Sequence, residues 1–301
     1  MKRINLIWQG ISDKAVFDHW NDGLRQAMRI IERKHEVRYK EPWDDMGDAD
    51  IVLYWEAPCT MNGPNAQHYK KILEHPGKKA LLFAGGPIKY EWVKDFDLVF
   101  TESEINDKEF EQIGIPFKRA FGINENIFEP VNVPKKYDAV HHGTFASWKR
   151  QWLLAEACKE KALIFGAKQE TDMKPWTDSQ KHGAVVMDKQ DYQMTNALIN
   201  SAHCVVNGAD YWGGGQRTTL EGMCAGLPVI CMKDSPKNRE YIEECGGGLV
   251  VDPEPEKIRK VVEEVKRWTE EERLRGRNYV LSKWTSKHYA DALLEGIESI
   301  C

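Results

Sequence analysis

The chain has 301 residues, 42% hydrophobic and 30% charged, with a formal net charge of −5, so it holds two domains of ordinary size and no large nonspecific nucleic-acid surface. Seven cysteines without CxxC or Cys/His ligand spacing exclude a disulfide framework and a structural zinc site. MKRINLIWQG passes straight into a strand-like run too short for a signal peptide, and no run of about 18 apolar residues follows, so a soluble, cytoplasmic protein is expected.

Ile4 to Trp8 predicts a first strand, Gln9-Gly10 a turn, and Val16, Trp20, Leu24, Met28 and Ile31 the buried face of a first helix. The unit lacks the spaced triple glycine of a dinucleotide fingerprint, so no nicotinamide or flavin is expected; Gly10 to Asp13 still falls where a cleft is lined. Val37 to Tyr39, Ile51 to Trp55, Ala80 to Phe83 and Leu98 to Phe100 are short apolar runs separated by stretches of crossover length, the pattern of a parallel sheet. An open α/β sheet places ligands at the carboxyl ends of its strands, which here carry Glu56, Gly85 and Gly86. Asp48-Ala49-Asp50 has the look of a metal-binding acid pair, but it precedes a strand and reads as a turn, so no metal is expected.

Pro130, Pro134 and Lys135-Lys136 form a polar connection without helical or strand period, a domain boundary. Beyond it, Ala139 to His142, Ala162 to Phe165 and Ala184 to Met187 begin a second βα alternation. His203 to Val206 suits a buried strand, and Gly213 to Gly215 give a tight turn with uncovered amides. Gln216 to Ala225 then reads as a short helix stopped by Gly226 and Pro228 before a strand from Val229 to Cys231. A helix starting directly behind a glycine turn points unpaired N–H groups and a positive dipole end at that spot, a seat for a phosphate. Glu221, in the second turn, tilts back over the glycines and would accept hydrogen bonds from hydroxyls there. Lys257 to Trp268 predicts a helix, and Tyr289, Leu293, Leu294, Ile297 and Ile300 a last one behind Thr285 or Ser286 as N-cap. Of eleven tryptophans, only Trp148 and Trp212 flank these motifs.

LEGMCAGLPVI followed by KDSPKNREYIEECGGGLVV resembles the donor-binding region of the retaining glycosyltransferases of family 4, with Glu221, Gly226, Pro228, Asp234, Glu240 and Gly248 in step apart from one extra residue before Asp234. Asp97 to Pro130 is similar to the last strand, helix and exit segment of that family's N-terminal domain, with Phe128 and Pro130 in place and Phe121-Gly122-Ile123-Asn124 where the family commonly reads Asn-Gly-Val-Asp. HHGTFASWKRQ matches the spacing of the family's diphosphate-holding Gly-Arg and Lys: Gly143 and Lys149 match, but Thr144 stands where arginine is usual. The family's first glutamate, which lies against the transferred sugar, is here Gly213.

The resemblance implies a GT-B fold, α/β, with two facing Rossmann-like domains carrying parallel sheets: an acceptor-side domain over 1–130, a nucleotide-sugar domain over 131–284, and a C-terminal helix over 285–301 crossing back to the first. It implies glycosyl transfer with retention from a nucleoside-diphosphate sugar, with no cofactor and no metal. Lys149 and Arg217 are the expected catalytic residues, Arg217 taking over the charge role lost at Thr144. Gly143, Thr144, Gly213, Gly214, Gly215, Gln216, Thr218 and Glu221 complete the expected donor seat, with Glu221 on the ribose; Gly10, Glu56, Gly85 and Gly86 face the acceptor, whether small molecule, glycan or modified nucleic acid. Two other readings share the seat: a non-hydrolysing sugar-nucleotide epimerase, for which only Glu56 and Glu91 are placed as acid/base groups, and a non-catalytic nucleotide-sugar-binding subunit.

Overall fold

The computed structural model describes residues 1–8, 11, 22–56, 66–83, 88, 90–211 and 214–301, with the backbone alone at 56, 66–68 and 92. Contacts divide the chain into two compact units, Met1–Asn124 with Thr285–Cys301, and Glu125–Trp284.

The first unit is built on strands β1 (Arg3–Ile7), β2 (Glu36–Lys40), β3 (Ile51–Glu56), β4 (Lys78–Phe83), β5 (Leu98–Thr101) and β6 (Phe117–Arg119), all parallel in the order β2-β1-β3-β4-β5-β6. Helices α1 (Gly23–Ile31), α2 (Ala66–Leu73), α3 (Tyr90–Val93) and α4 (Glu104–Ile113) make the crossovers. Both sheet faces are covered, which is why the strands read as continuous apolar runs rather than alternations. Leu6, Leu53, Leu82 and Phe100 pack toward Leu24 and Met28 of α1. Ile7, Val52, Leu81 and Val99 pack on the other side with Ile72, Val93 and Phe110. Of the residues expected on the first helix's buried face, Leu24, Met28 and Ile31 are buried in α1, while Val16 and Trp20 lie outside the described residues.

The second unit carries β7 (Tyr137–His142), α5 (Gln151–Cys158), β8 (Ala162–Gly166), α6 (Lys174–Lys181), β9 (Val185–Asp188), α7 (Tyr192–Asn200), β10 (Ala202–Asn207), α8 (Gln216–Cys224), β11 (Val229–Met232), α9 (Pro236–Cys245), β12 (Gly248–Val251), α10 (Pro255–Val265) and α11 (Glu270–Lys283). Its parallel sheet runs β12-β11-β10-β7-β8-β9, so the strand order reverses between β7 and β10. In an open α/β sheet the carboxyl ends of the strands at such a reversal part to form a ligand crevice. Leu153, Leu154, Ile258, Val262 and Val265 cover one face over Ala139, Ile164, Cys204, Val206 and Ile230.

The sequence pattern does not announce α11. A capping box of Thr269 and Glu272 starts it, and Arg277 donates to the carbonyl of Cys224, the last residue of α8. The last helix, α12 (Ser286–Ile300), belongs to the first unit, where it packs on α1 and buries Tyr289, Leu293, Leu294 and Ile297. Thr285 is its N-cap, accepting from the backbone N–H of His288. No described helix is long and apolar enough to cross a membrane.

Candidate donor site at the carboxyl ends of β7 and β10

Three loops meet where the strand order of the second unit reverses: those following β7, β10 and β11. After β7, Gly143 takes a φ of +123°, a turn of 3-10 helix covers Ser147–Lys149, and Arg150 adopts a left-handed conformation with φ 46° before α5. A non-glycine residue there costs about 1–2 kcal/mol, and the side chain of Arg150 offsets it. Its Nε donates to Gly208 O at 2.8 Å and Nη2 to Ala209 O at 3.0 Å, both after β10. Nη1 and Nη2 also donate to the two oxygens of Asp234, after β11, at 2.8 and 2.7 Å. That guanidinium holds the Asp234 carboxyl below its ordinary range. The Asp210 N–H adds a bond to Trp148 O at 2.9 Å, so the three loops form one surface.

Lys149 stands on that surface. Its Nζ lies 3.1 Å from where a Cβ on Gly143 would project, with Thr218 Oγ1 3.5 Å from the same point, so the ammonium overlies bare backbone that a side chain would block. Lys149 is half-buried, and its ammonium makes no hydrogen bond or ion pair among the described residues. Burial first, then the positive charge of Arg217, pushes it down to about 8, against the opposing pull of Glu221. Lys149 and Arg217 thus share one electrostatic neighbourhood at the start of α8, and an anion placed there would relieve both the desolvation and the like-charge repulsion.

The start of α8 is held from below. Gly215 takes a φ of +118°, and a Cβ there would fall 2.6 Å from Asn207 Nδ2. That amide group, at the end of β10, lies 2.9 Å from Gly215 O, 3.0 Å from Thr219 Oγ1 and 3.0 Å from Asn238 Oδ1. Thr219 Oγ1 donates to Asn238 Oδ1 at 3.0 Å, and Asn238 Nδ2 to Ser235 Oγ at 2.8 Å. All four side chains are buried. The network ties the last turn residue to strands and helix alike, leaving the first amides of α8 directed at the crevice.

On the same helix, Glu221 is buried and its Oε2 lies 2.7 Å from Nε2 of His142, the last residue of β7. Thr218 Oγ1 donates to His142 O at 3.0 Å. The preceding His141 points to the opposite face of the sheet; burial pushes it down to about 3, so it is neutral and its Nδ1–H donates to Val206 O at 2.8 Å.

Gly143, Thr144, Lys149, Gly214, Gly215, Gln216, Arg217, Thr218 and Glu221, all expected at the donor seat, therefore fall on the loop after β7, the glycine turn before α8 or the first two turns of α8. Within it Thr144 contributes its carbonyl, which accepts from Gln151 Nε2 at 3.0 Å, and Gln216 is buried with Oε1 3.6 Å from where a Cβ on Gly214 would stand. Gly213 and Trp212 lie outside the described residues, as do Gly10, Gly85, Gly86 and the side chain of Glu56 on the acceptor side. Glu91 lies exposed on α3. Asp48 and Asp50 are ion-paired with Arg3 and Arg38, and no group of three or more His, Cys, Asp or Glu side chains among the described residues could hold a metal. The sequence reading does not single out His142, Asn207, Thr219 or Asn238, nor the pairing of Arg150 with Asp234. Their signal is a polar residue closing an apolar strand run, at 142 and again at 207.

A two-unit α/β chain with a six-stranded parallel sheet in each, whose second sheet reverses its strand order between β7 and β10, has the GT-B fold. The family model described as glycosyl transferases group 1 matches residues 123–279, more than half the chain, and the chain belongs to that family. Solved structures share the fold over almost the whole length. Sucrose-phosphate synthase from Thermosynechococcus elongatus superimposes with a TM-score of 0.76 at 12% identity, covering 100% of this chain and 99% of that one. A glycosyltransferase from Rickettsia africae gives 0.73 at 13%, covering 99% and 98%. The Anabaena protein HepE, solved in complex with UDP and glucose, gives 0.71 at 12%, covering 99% and 100%. A search of curated proteins finds no match.

Proposed function

We propose that this glycosyltransferase takes a sugar from a nucleoside-diphosphate sugar and passes it to an acceptor with retention at the anomeric carbon, without a metal. The observation that carries the reading is the unpartnered, half-buried Lys149 ammonium over Gly143, beside Arg217 and the first amides of α8. As the bond from the sugar to the diphosphate breaks, negative charge grows on the leaving oxygen. Two cations and a helix N-terminus fixed in advance stabilise that charge without reorganising. Glu221 accepts from a hydroxyl of the ribose. The sugar, lacking an acid at 213, is held by the Gly214 and Gly215 amides and by the side chain of Gln216 or Arg217. Uridine donors are the first to try, since HepE has been solved with UDP-glucose.

The protein is incubated with UDP-, GDP- and ADP-sugars in excess chelator, and the products are examined for free nucleoside diphosphate, epimerised donor or unchanged bound donor. Release of diphosphate with the anomeric configuration kept supports the reading. Epimerised sugar points to an epimerase, and binding without turnover, which the threonine at 144 keeps in view, to a binding subunit. Activity lost in chelator and restored by magnesium or manganese would overturn the metal-free part.

A further inference from the structure

The bond between His142 and Glu221 limits what Glu221 can offer a ligand. A carboxylate has only lone pairs to give, so Nε2 of His142 carries the hydrogen of the 2.7 Å contact to Oε2. The imidazole is fixed on several sides: its own carbonyl accepts from Thr218 Oγ1, Phe165 stacks on its ring with centroids 6.0 Å apart, and Nδ1 is buried without a partner among the described residues. The two side chains are only 5% and 7% exposed. Turning Glu221 away would leave both ring nitrogens of His142 buried and unsatisfied, so the carboxylate stays where it is. Oε2 spends a lone pair inward on His142, and Oε1 makes no hydrogen bond among the described residues.

A carboxylate with both oxygens available accepts from both cis hydroxyls of a ribose at once. Resting on the reading of this crevice as a nucleoside-diphosphate seat, we infer that His142 is a positioning residue that makes Glu221 a one-hydroxyl acceptor, through Oε1, so that the seat recognises one of the two ribose hydroxyls and ignores the other. Binding of UDP, ADP and GDP, each with its 2′-deoxy and 3′-deoxy forms, is measured by titration calorimetry. For whichever nucleotide binds, one deoxy form should bind within about twofold of the parent and the other at least about tenfold more weakly, the loss of one charge-assisted hydrogen bond. In His142→Leu the freed oxygen takes the second hydroxyl, and both deoxy forms should then bind more weakly than the parent. His142→Gln keeps an N–H facing Glu221 and should restore the one-sided pattern. A residue that merely supports the fold would alter all three affinities together and leave their ratios alone. Equal losses for both deoxy forms in the wild type overturn the inference, and that comparison needs no variant to fold; so do ratios unchanged in a folded His142→Leu. If none of the three diphosphates binds the wild type, the reading of the site has failed and the inference falls with it.

Discussion

Arg150 grips Asp234 with two hydrogen bonds of 2.8 and 2.7 Å while its own backbone sits at a φ of 46°. The contact joins loops 84 residues apart in sequence and fixes the position of the neighbouring Lys149. Removing Asp234 alone should cost little, under about 1 kcal/mol, since its side chain is 47% exposed. Arg150→Ala should cost more, about 2 kcal/mol, because the Gly208 and Ala209 carbonyls lose their donor as well. Arg150→Gly separates conformation from contact: it should be about 1 kcal/mol more stable than Arg150→Ala in urea unfolding, the left-handed strain being relieved. An alanine variant as stable as the glycine variant would show that the backbone is not strained.

The charge state of Lys149 makes nucleotide binding depend on pH. Below about 8 the lysine is an ammonium and attracts the diphosphate; above it the group is neutral and that attraction is gone. Affinity for the preferred nucleoside diphosphate should therefore fall as pH rises from 7 to 9.5, and the fall should be absent in Lys149→Met. The effect on folding has the opposite direction. A lysine whose folded pKa is depressed destabilises the protein while both states are protonated, and stability is recovered between about 8 and the ordinary lysine value of 10.5 as the folded state sheds its proton first. Titration calorimetry and urea unfolding at matched pH values check the two signs, and a flat binding profile contradicts the assignment.

Lys149→Ala should lower turnover by about 10² to 10³, the loss of one preorganised partner to developing charge. Arg217→Ala should cut it at least as strongly. The double variant should lose less than the two effects added, because both groups act on one diphosphate. Strict additivity in kcat/KM would place the two cations on different parts of the donor.

Asn238 closes the buried network under the glycine turn. Asn238→Leu takes the Oδ1 acceptor away from both the Asn207 amide and the Thr219 hydroxyl and should destabilise the fold by about 2–4 kcal/mol, two buried polar groups each losing a bond. Replacing Asn207 as well should cost less than the sum of the two single changes, since the partner groups are then removed together. Chemical denaturation of the four proteins in the cycle measures it.

Much of the fold can be read in advance because continuous apolar runs mark strands covered on both faces, and a period near 3.6 marks α10 and α12. The strand β6 escapes, having only three half-buried residues at a sheet edge, too few to show a period. Helix α11 escapes for a different reason: charged residues surround it, so no apolar stripe stands out, and its start is set by the Thr269–Glu272 cap. In the site, Gly143, Lys149 and the glycine turn before α8 are local features and show themselves by spacing. The pairings of His142 with Glu221, Asn207 with Asn238 and Arg150 with Asp234 span 79, 31 and 84 residues, and each depends on which strands become neighbours. Spacing along the chain carries no record of that choice.

In the proposed function, the crevice over β7 and β10 holds the diphosphate of a nucleotide sugar through Lys149. Its most direct measurement is calorimetric titration of UDP-glucose, GDP-mannose and ADP-glucose into the wild type and Lys149→Ala at pH 7. One donor should bind the wild type, and Lys149→Ala should bind the same donor about 10- to 100-fold more weakly with its unfolding transition intact, the loss of one charge-assisted contact to phosphate. Equal affinity in the two proteins would contradict it.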